Sequence, residues 1–501
     1  MRRFRGVATI GAFAAVTAWC ADLRVIDAVK SENKALLRSL IAQKADLNVA
    51  PADGDTPLHW AVEDDDLECV DLLLKAGAHA DAADRDGMTP LFYAVTNGNA
   101  PITERLLAAG ANPNGTGQGG DTLLMIAARG KSVDILQALL EKGARVNATD
   151  EAVQETPLMW AVRANNVKAV KILLDHEAQV NARTREGEMP PRRPPGAGGG
   201  SHGVGIVRGG WPDSGYQPEG PGGMSALLLA SRDGRLEIAK ILLDAKADPN
   251  QVDINGITPL ISAISNHHLA LALLLLERGA NPKTADQWGR TPLWAAVEIR
   301  DRDMGKSGEH MDREGALQLI RTLLDRGVDV NARTTEVPPV RRFVLPLGDL
   351  SWVDFTGQTA FLRAALSGDV TVMKLLLEKG ADPKIPTNSN TTALMAAAGV
   401  NWVVNQTYTE SSLEAVKLCL ELGADVNAVN SMGLTAVMGA ANRGADDILQ
   451  FLVEKGAHLD VKDKEGRSPY NWAEGVFLAT NAPEAKPSTM ALIKKLADGR
   501  P

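Results

Sequence analysis

Histidine and carboxylate side chains are the first candidates for chemistry in this sequence of 501 residues. The chain contains eight histidines, of which only His267 and His268 are adjacent. Four consecutive acidic residues, Glu63-Asp64-Asp65-Asp66, offer the oxygen ligands that calcium prefers. Neither group has the spacing of a known metal motif, and the calcium-loop pattern is absent. We therefore favour a helix turn for the histidine pair and a solvated turn for the acidic run, with metal binding as the less favoured alternative.

Sequence motifs for catalysis and cofactor binding are also missing. No phosphate-binding glycine loop, nucleophile elbow or catalytic-triad order is present. The glycine-rich run at 196–200 has no strand pattern before it and no Gly-Lys-Ser/Thr after it. Cys69 and Cys419 are predicted to be small core hydrophobes, so no disulfide framework is expected. The sequence predicts a protein that is not an enzyme and that uses no cofactor or metal.

One short phrase recurs along the chain and organises the rest of it. It first reads Thr56-Pro57-Leu58 and returns 33 residues later as Thr89-Pro90-Leu91. Most of the steps between copies are 33 or 34 residues, which indicates a structural repeat. The later copies begin at Thr122, Thr156, Ser225, Thr258, Thr291, Thr359, Thr392, Thr435 and Ser468.

Each position of the phrase has a physical role in a pair of helices. Thr or Ser caps the first helix by accepting a hydrogen bond from a backbone N–H, and Pro suits the first helical position because it has no N–H to satisfy. The second helix ends in apolar pairs such as Leu73-Leu74, whose burial contributes roughly 1.5–3 kcal/mol per side chain. Gly77 then ends that helix in the left-handed conformation. One helix pair cannot bury this face alone, so neighbouring pairs must stack.

These features resemble the ankyrin repeat family across nearly the whole chain after its N-terminal leader. The resemblance implies an all-α fold, an ankyrin-repeat solenoid of about twelve helix-turn-helix repeats with β-hairpin fingers. It also implies a non-catalytic protein–protein interaction module. The concave groove and the finger tips of the central to C-terminal repeats would contact another protein.

The repeats and their interruptions predict eight segments along the chain. They are a signal peptide at 1–20, an N-terminal capping repeat at 21–52, ankyrin repeats 1–4 at 53–183, a Gly/Pro-rich flexible insert at 184–222, ankyrin repeats 5–7 at 223–333, a finger insert at 334–354, ankyrin repeats 8–10 at 355–467 and a C-terminal capping repeat at 468–501. Shorter insertions lengthen three helix turns, at 300–313, 400–411 and 475–488.

Two repeats beside the flexible insert depart from the helix-ending glycine. Glu177 and Lys246 occupy that position in repeats 4 and 5. A residue other than glycine costs roughly 1–2 kcal/mol in the left-handed conformation. We therefore expect the fold to be locally weakest around these two repeats.

The N-terminal residues have the composition of an export signal. Three arginines within the first five residues precede an apolar run at 7–18, which is too short to span a bilayer. Small residues at Ala18 and Cys20 predict cleavage before Ala21. A lipoprotein cut before Cys20, twin-arginine export and an uncleaved anchor are the alternatives. No later run spans a membrane, so a bacterial periplasmic or secreted protein is predicted.

The charge balance narrows the class of partner. The formal net charge is −9, which argues against nucleic acid or an anionic membrane surface. Another protein, or a second copy of the same chain, is the expected partner.

The candidate contact residues flank the glycine that precedes each phrase, at the predicted finger tips. These positions are largely polar or small in repeats 1–4 and become apolar from repeat 6 onward. Exposed Trp and Arg side chains are typical of binding hot spots. Packing of one finger against the next, and of the inserts against the groove, is the alternative. We predict that the protein-binding residues are Ile254, Ile257, Trp288, Arg290, Phe355, Met432 and Leu434.

The first helices of several repeats carry an aromatic residue. We interpret the first-helix aromatics as half-buried packing: Trp60, Tyr93, Trp160 and Trp472. One alternative function is a self-associating structural scaffold of the cell envelope. Another is an enzyme with a site built from the inserts, using Trp211, Arg341 or Arg342. That site would need grouped titratable residues, which the sequence does not show.

Overall fold

A computed structural model describes six stretches of the chain, which forms two compact units that divide between Gln179 and Val180. The described stretches are 23–186, 222–300, 312–336, 356–400, 412–476 and 484–498. Several predictions fall outside them: the signal peptide at 1–20, most of the inserts at 184–222 and 334–354, most of the three lengthened helix turns, and the residues Trp211, Arg341, Arg342 and Phe355.

Short helices form both units. The first unit contains α1 (Arg24–Lys30), α2 (Lys34–Ala42), α3 (Pro57–Glu63), α4 (Leu67–Lys75), α5 (Pro90–Asn97), α6 (Ala100–Ala108), α7 (Leu123–Arg129), α8 (Val133–Glu141), α9 (Pro157–Arg163) and α10 (Val167–Asp175). The second contains α11 (Ala226–Arg232), α12 (Leu236–Asp244), α13 (Pro259–Ser265), α14 (Leu269–Glu277), α15 (Pro292–Arg300), α16 (Arg313–Asp325), α17 (Ala360–Leu366), α18 (Val370–Glu378), α19 (Ala393–Ala398), α20 (Ser412–Glu421), α21 (Ala436–Arg443), α22 (Asp446–Glu454), α23 (Pro469–Glu474) and α24 (Pro487–Asp498).

The loops between helix pairs consist of turns joined by irregular segments. Within the described stretches no strand is present, and the β-type pairing consists of isolated bridges from Thr116 to Thr122 and from Arg183 to Ser225. The predicted β-hairpin fingers are therefore not confirmed. In the same stretches, no helix is both long and apolar enough to span a membrane.

The recurring phrase begins the first helix of a pair, as its residues predict. Thr258 is extended, and its hydroxyl accepts the N–H of Ile261 at 3.1 Å, while Pro259 opens α13. His59 adds a second bond in the first repeat, because its Nδ1 accepts the backbone N–H of Thr56 at 3.1 Å. Its Nε2 lies 3.1 Å from the Met88 carbonyl, which can only accept, so Nε2 carries the proton. His59 is therefore structural.

The acidic run and the histidine pair, first considered for metal binding, make structural hydrogen bonds at helix ends. Asp66 caps α4 by accepting the N–H groups of Glu68 and Cys69, each at 3.1 Å. His268 lies with Nε2 3.1 Å from the carbonyl of Arg232. Among the described residues, no group of three or more His, Cys, Asp and Glu could hold a metal ion. These contacts support the helix-turn interpretation of both groups.

The core lies between stacked helix pairs. The first leucine of each helix-ending pair is fully buried, as Leu73 and Leu275 show at 0% exposure. Cys69 and Cys419 are buried free thiols, as predicted. Burial raises the pKa of each thiol to about 12, with the Asp66 carboxylate adding to the effect at Cys69. Both cysteines are therefore unreactive core residues at neutral pH.

A recurring asparagine links six of the repeats to the repeat that follows. The side-chain oxygen accepts a backbone N–H from the following repeat at 2.7–2.9 Å, and the amide donates to the carbonyl at the end of that repeat's second helix at 3.0–3.3 Å. The six residues with both bonds are Asn114, Asn147, Asn181, Asn250, Asn331 and Asn427. Lys283 and Lys384 stand at the equivalent positions in two repeats, and a lysine side chain has no acceptor.

Glu177 and Lys246 adopt the left-handed conformation that the sequence predicts for them, with φ of 63° and 69°. At the equivalent position Gly143 has φ of 88°. A Cβ at Gly143 would meet no atom within 4 Å, so the penalty at this position is conformational rather than steric.

An arginine beside the start of each of the two inserts donates hydrogen bonds to two backbone carbonyls. Arg183 donates to the carbonyls of Gly223 and Val252, at 3.3 and 3.0 Å. Arg333 makes the same pair of contacts with the carbonyls of Gly357 and Pro386, each at 3.0 Å. Both arginines belong to an Asn-Ala-Arg-Thr sequence that sequence reasoning did not single out. The inserts at 184–222 and 334–354 therefore leave the fold at equivalent places.

Candidate functional site

One carboxylate or amide side chain organises each of three loops in the second unit that carry predicted apolar contact residues. We call the segments 253–257, 286–290 and 430–434 the tip loops. Oδ1 of Asp286 accepts the N–H groups of Trp288 and Arg290, both at 3.0 Å. Asp253 and Asn430 accept the equivalent pairs of N–H groups at 2.8 and 2.9 Å. The loop backbone is thereby fixed before any partner arrives.

Backbone hydrogen bonds also join the tip loops to their neighbours. The N–H of Gln287 donates to the Asn255 carbonyl at 2.9 Å. The Trp288 carbonyl accepts the N–H of Thr335 at 2.8 Å, and the Met432 carbonyl accepts that of Lys464 at 3.0 Å. The tips are therefore held in register by bonds between adjacent loops, which favours a preorganised contact surface.

Arg290 supports the neighbouring tryptophan from inside the fold. The residue is only 7% exposed, and its Nε donates to Oδ2 of Asp286 at 2.6 Å. The guanidinium lies 5.2 Å from the centre of the Trp288 ring, within cation–π distance. The expectation that Arg290 is exposed is wrong, because its ion pair with a buried carboxylate holds it in the fold. The half-buried Trp288 is the accessible member of this group.

Leu434 requires a similar correction. It is 1% exposed, so its side chain cannot reach a partner. The residue directly before the capping Thr or Ser is buried in several repeats, including Met88, Glu155 and Gln358. This position lies at the joint between the loop and the first helix, where the chain turns into the core.

The remaining predicted contacts lie at the tips with part of their surface accessible. Ile254, Ile257, Trp288 and Met432 are all half-buried. Sequence reasoning missed Val429, which is 54% exposed directly before the tip residue Asn430. Its position beside Asn430 was the feature of the sequence that could have indicated an exposed apolar residue. The accessible apolar tip set therefore consists of Ile254, Ile257, Trp288, Val429 and Met432.

The first helices of the second unit offer little accessible surface. Ser262, Ala295 and Ala396, at the fourth position after the capping residue, are 8%, 0% and 0% exposed. Trp472 at this position is 1% exposed and donates its ring N–H to Asp463 at 3.0 Å, which confirms its packing role. The tip loops are thus more accessible in this unit than the fourth position after the capping residue of these helices.

Burial sets the ionisation of the tip carboxylates. It raises the pKa of Asp253, and the nearby Asp286 adds to that shift. Burial also raises the pKa of Asp286 and outweighs the opposing effect of Arg290. At Asp463, burial acts in the same direction, but the N–H and guanidinium of Arg467 hold the pKa below its ordinary value. The enclosed tip loops therefore bury carboxylates at a cost that their hydrogen bonds offset.

Comparison with known families now decides the class of the protein. A model of ankyrin repeats in three copies matches residues 25–117, 97–184, 227–334 and 407–475, more than half of the chain, and a single-repeat model matches 356–385. The chain belongs to the ankyrin repeat family. Ankyrin repeats typically mediate protein–protein interaction and are generally non-catalytic, and the family matches indicate no enzyme.

Individual proteins add little to this assignment. No curated protein matches the chain. Among solved structures, the ankyrin repeat domain of Bcl-3, described as a unique member of the IkappaB protein family, is similar at 26% identity. That match covers 51% of this chain and 98% of the Bcl-3 domain, with a TM-score of 0.40.

Proposed function

We propose that this ankyrin repeat protein binds another protein through the apolar finger tips of its second unit. The observation that carries the proposal is the set of half-buried and exposed apolar tips on loops fixed by Asp253, Asp286 and Asn430. A tryptophan on a rigid loop adds large contact area with little loss of conformational entropy. Trp288 is the proposed anchor, and Arg290 positions it.

The other predicted residues either contact the partner or support the loops. Ile254, Ile257 and Met432 contact the partner beside Trp288, and Phe355, which lies outside the described residues, belongs to the same predicted set. Leu434 supports its loop from the core. The protein acts as a binding module and requires no cofactor.

The finer architecture and the cellular location belong to the same proposal. The chain is a solenoid of about twelve repeats whose fingers act as short hairpins. A signal peptide at 1–20 directs it to the periplasm or the exterior of a bacterial cell. Cell fractionation with N-terminal sequencing of the exported protein tests this, because a mature chain beginning at Ala21 is expected. Recovery of the intact N-terminus in the cytoplasm would contradict export.

Site-specific photo-crosslinking tests the proposed surface directly. A photoreactive phenylalanine analogue replaces Trp288 in one variant and the exposed Gln118, on a loop of the first unit, in the control. We expect a crosslinked protein of one defined mass from position 288 and none from position 118. Crosslinks to a second copy of this chain would favour the self-associating scaffold instead. Equal patterns at both positions would contradict a partner site at the tips.

A further inference from the structure

A row of large side chains crosses the first helices of the first unit. Trp60, Tyr93, Ile126 and Trp160 each lie four residues after the capping threonine of α3, α5, α7 and α9. The repeat brings them into register on neighbouring helices. All four are half-buried, whereas Ser262, Ala295 and Ala396 at this position of the second unit are buried and small. We call the three aromatic residues together with Ile126 the aromatic stripe.

The two outer rings of the aromatic stripe already hold cations from the protein itself. The Lys30 ammonium lies 3.4 Å from the centre of the Trp60 ring. The Arg129 guanidinium lies 4.9 Å from the centre of the Trp160 ring. Both distances are within the range of cation–π attraction, so these faces of the helices favour positive groups.

The ring between them has carboxylates around it instead. The Tyr93 hydroxyl donates to Oδ2 of Asp84 at 2.7 Å. Burial raises the pKa of Tyr93, and the hydrogen bond to Asp84 and the charges of Asp84, Asp55 and Glu63 add to that shift. Glu63 is exposed at the end of α3, and Asp53 and Asp86 are exposed on the adjoining loops. The surface around Tyr93 therefore combines a half-buried aromatic face with negative charge.

We propose that the aromatic stripe is a second docking surface, and that it binds a basic segment of another protein with a lysine or arginine side chain over Tyr93. The bound cation would continue the row formed by Lys30 on Trp60 and Arg129 on Trp160. Charge complementarity at Tyr93 favours this occupant, because an acidic side chain over that ring would meet Asp84 and the exposed Glu63 and Asp86. The stripe lies in the first unit and does not depend on the tip loops of the second.

Peptide binding to the full chain tests this inference. The probe is a fluorescein-labelled peptide of alternating lysine and valine, and the control peptide replaces lysine with glutamate. By fluorescence anisotropy, we expect only the lysine peptide to bind, with an affinity that falls as salt rises. Failure of the lysine peptide to bind, or equal binding of both peptides, would overturn the proposal.

Matched variants locate the peptide on the stripe. Tyr93→Ala should weaken binding about tenfold, and Glu63→Gln about threefold, because each removes part of the attraction for the cation. Glu104→Gln changes an exposed glutamate on α6 and should leave the affinity unchanged. Glu63 is exposed, so its variant remains informative if Tyr93→Ala does not fold. Unchanged affinity in Glu63→Gln would refute the site. Trp288→Ala should have no effect, and a loss in that variant would assign the peptide to the tip loops instead.

Discussion

The Asn250 side chain joins its repeat to the next one through Asn281. Its Oδ1 accepts the backbone N–H of Asn281 at 2.7 Å, and its amide donates to the Gly279 carbonyl at 3.2 Å. A single side chain thus satisfies one donor and one acceptor where the helix ends. Because each repeat contacts only its neighbours, such links contribute directly to the stability of the interface between repeats.

Asn250→Ala should lower the free energy of unfolding by about 1–2 kcal/mol, since two solvent-exposed hydrogen bonds are lost. Urea denaturation followed by tryptophan fluorescence measures the change. Asn281→Ala is the matched control, because the Asn281 side chain accepts only the N–H of Lys283 within its own loop. The reciprocal variant Lys283→Asn restores the missing link and should add about 1 kcal/mol. Equal losses at 250 and 281 would show that the link between repeats adds nothing.

Replacing Glu177 and Lys246 with glycine should stabilise both units. Glu177→Gly and Lys246→Gly should each raise the free energy of unfolding by about 1 kcal/mol, because glycine adopts this conformation without a Cβ penalty. Gly143→Ala is the converse variant, and it should cost about the same because a Cβ there meets open space. Hydrogen exchange should also be fastest near Glu177 and Lys246 in the wild-type chain. Uniform protection across these repeats would contradict the account.

Arg290 should matter for folding rather than for direct contact. Arg290→Ala leaves the buried Asp286 carboxylate without its partner and should cost about 3–5 kcal/mol. Repeat 10 has Asn430 and Leu434 at the same two positions, so the double variant Asp286→Asn with Arg290→Leu should recover most of that loss. Thermal unfolding compares the three chains. A stable Arg290→Ala variant would show that the ion pair is not structural.

The buried Asp253 carboxylate should make stability depend on pH. The pKa of Asp253 is raised in the folded state, so the protonated carboxyl stabilises the fold. This contribution is fully present below the unfolded pKa of about 3.9 and is lost as pH rises through the folded pKa. Asp253→Asn keeps an acceptor oxygen, as Asn430 does, and removes this titration. We expect the variant to be more stable than wild type at pH 7 and equal to it near pH 3.

Asp463→Asn should change the stability at neutral pH in the opposite direction. The folded pKa of Asp463 is lowered, so its contribution is present at neutral pH and is lost as pH falls through the folded value. That variant should be less stable than wild type at pH 7, with a difference that shrinks in acid. The same pH response in both variants would contradict the assigned directions.

The sequence predicted those features that depend on neighbouring residues. Helix starts at residues such as Thr258, and left-handed residues such as Glu177, follow from local backbone chemistry. The asparagine links were not predicted, because Asn250 acquires its partners only when the repeats stack. Burial of Arg290 and Leu434 was also missed. In these loops no strand alternation indicates which side chains point inward, and neighbouring residues differ between exposed and buried. The spacing from Asp286 to Arg290 was the one local signal of that ion pair.

Affinity capture with three forms of residues 21–501, the mature chain proposed above, tests the central claim most directly. The forms are wild type, Trp288→Ala and the control Gln118→Ala, each incubated with envelope extract from the protein's own host. We predict one protein held by wild type and Gln118→Ala and lost from Trp288→Ala, with all three forms folded by circular dichroism. Equal recovery from all three forms would contradict a partner site at the finger tips of the second unit.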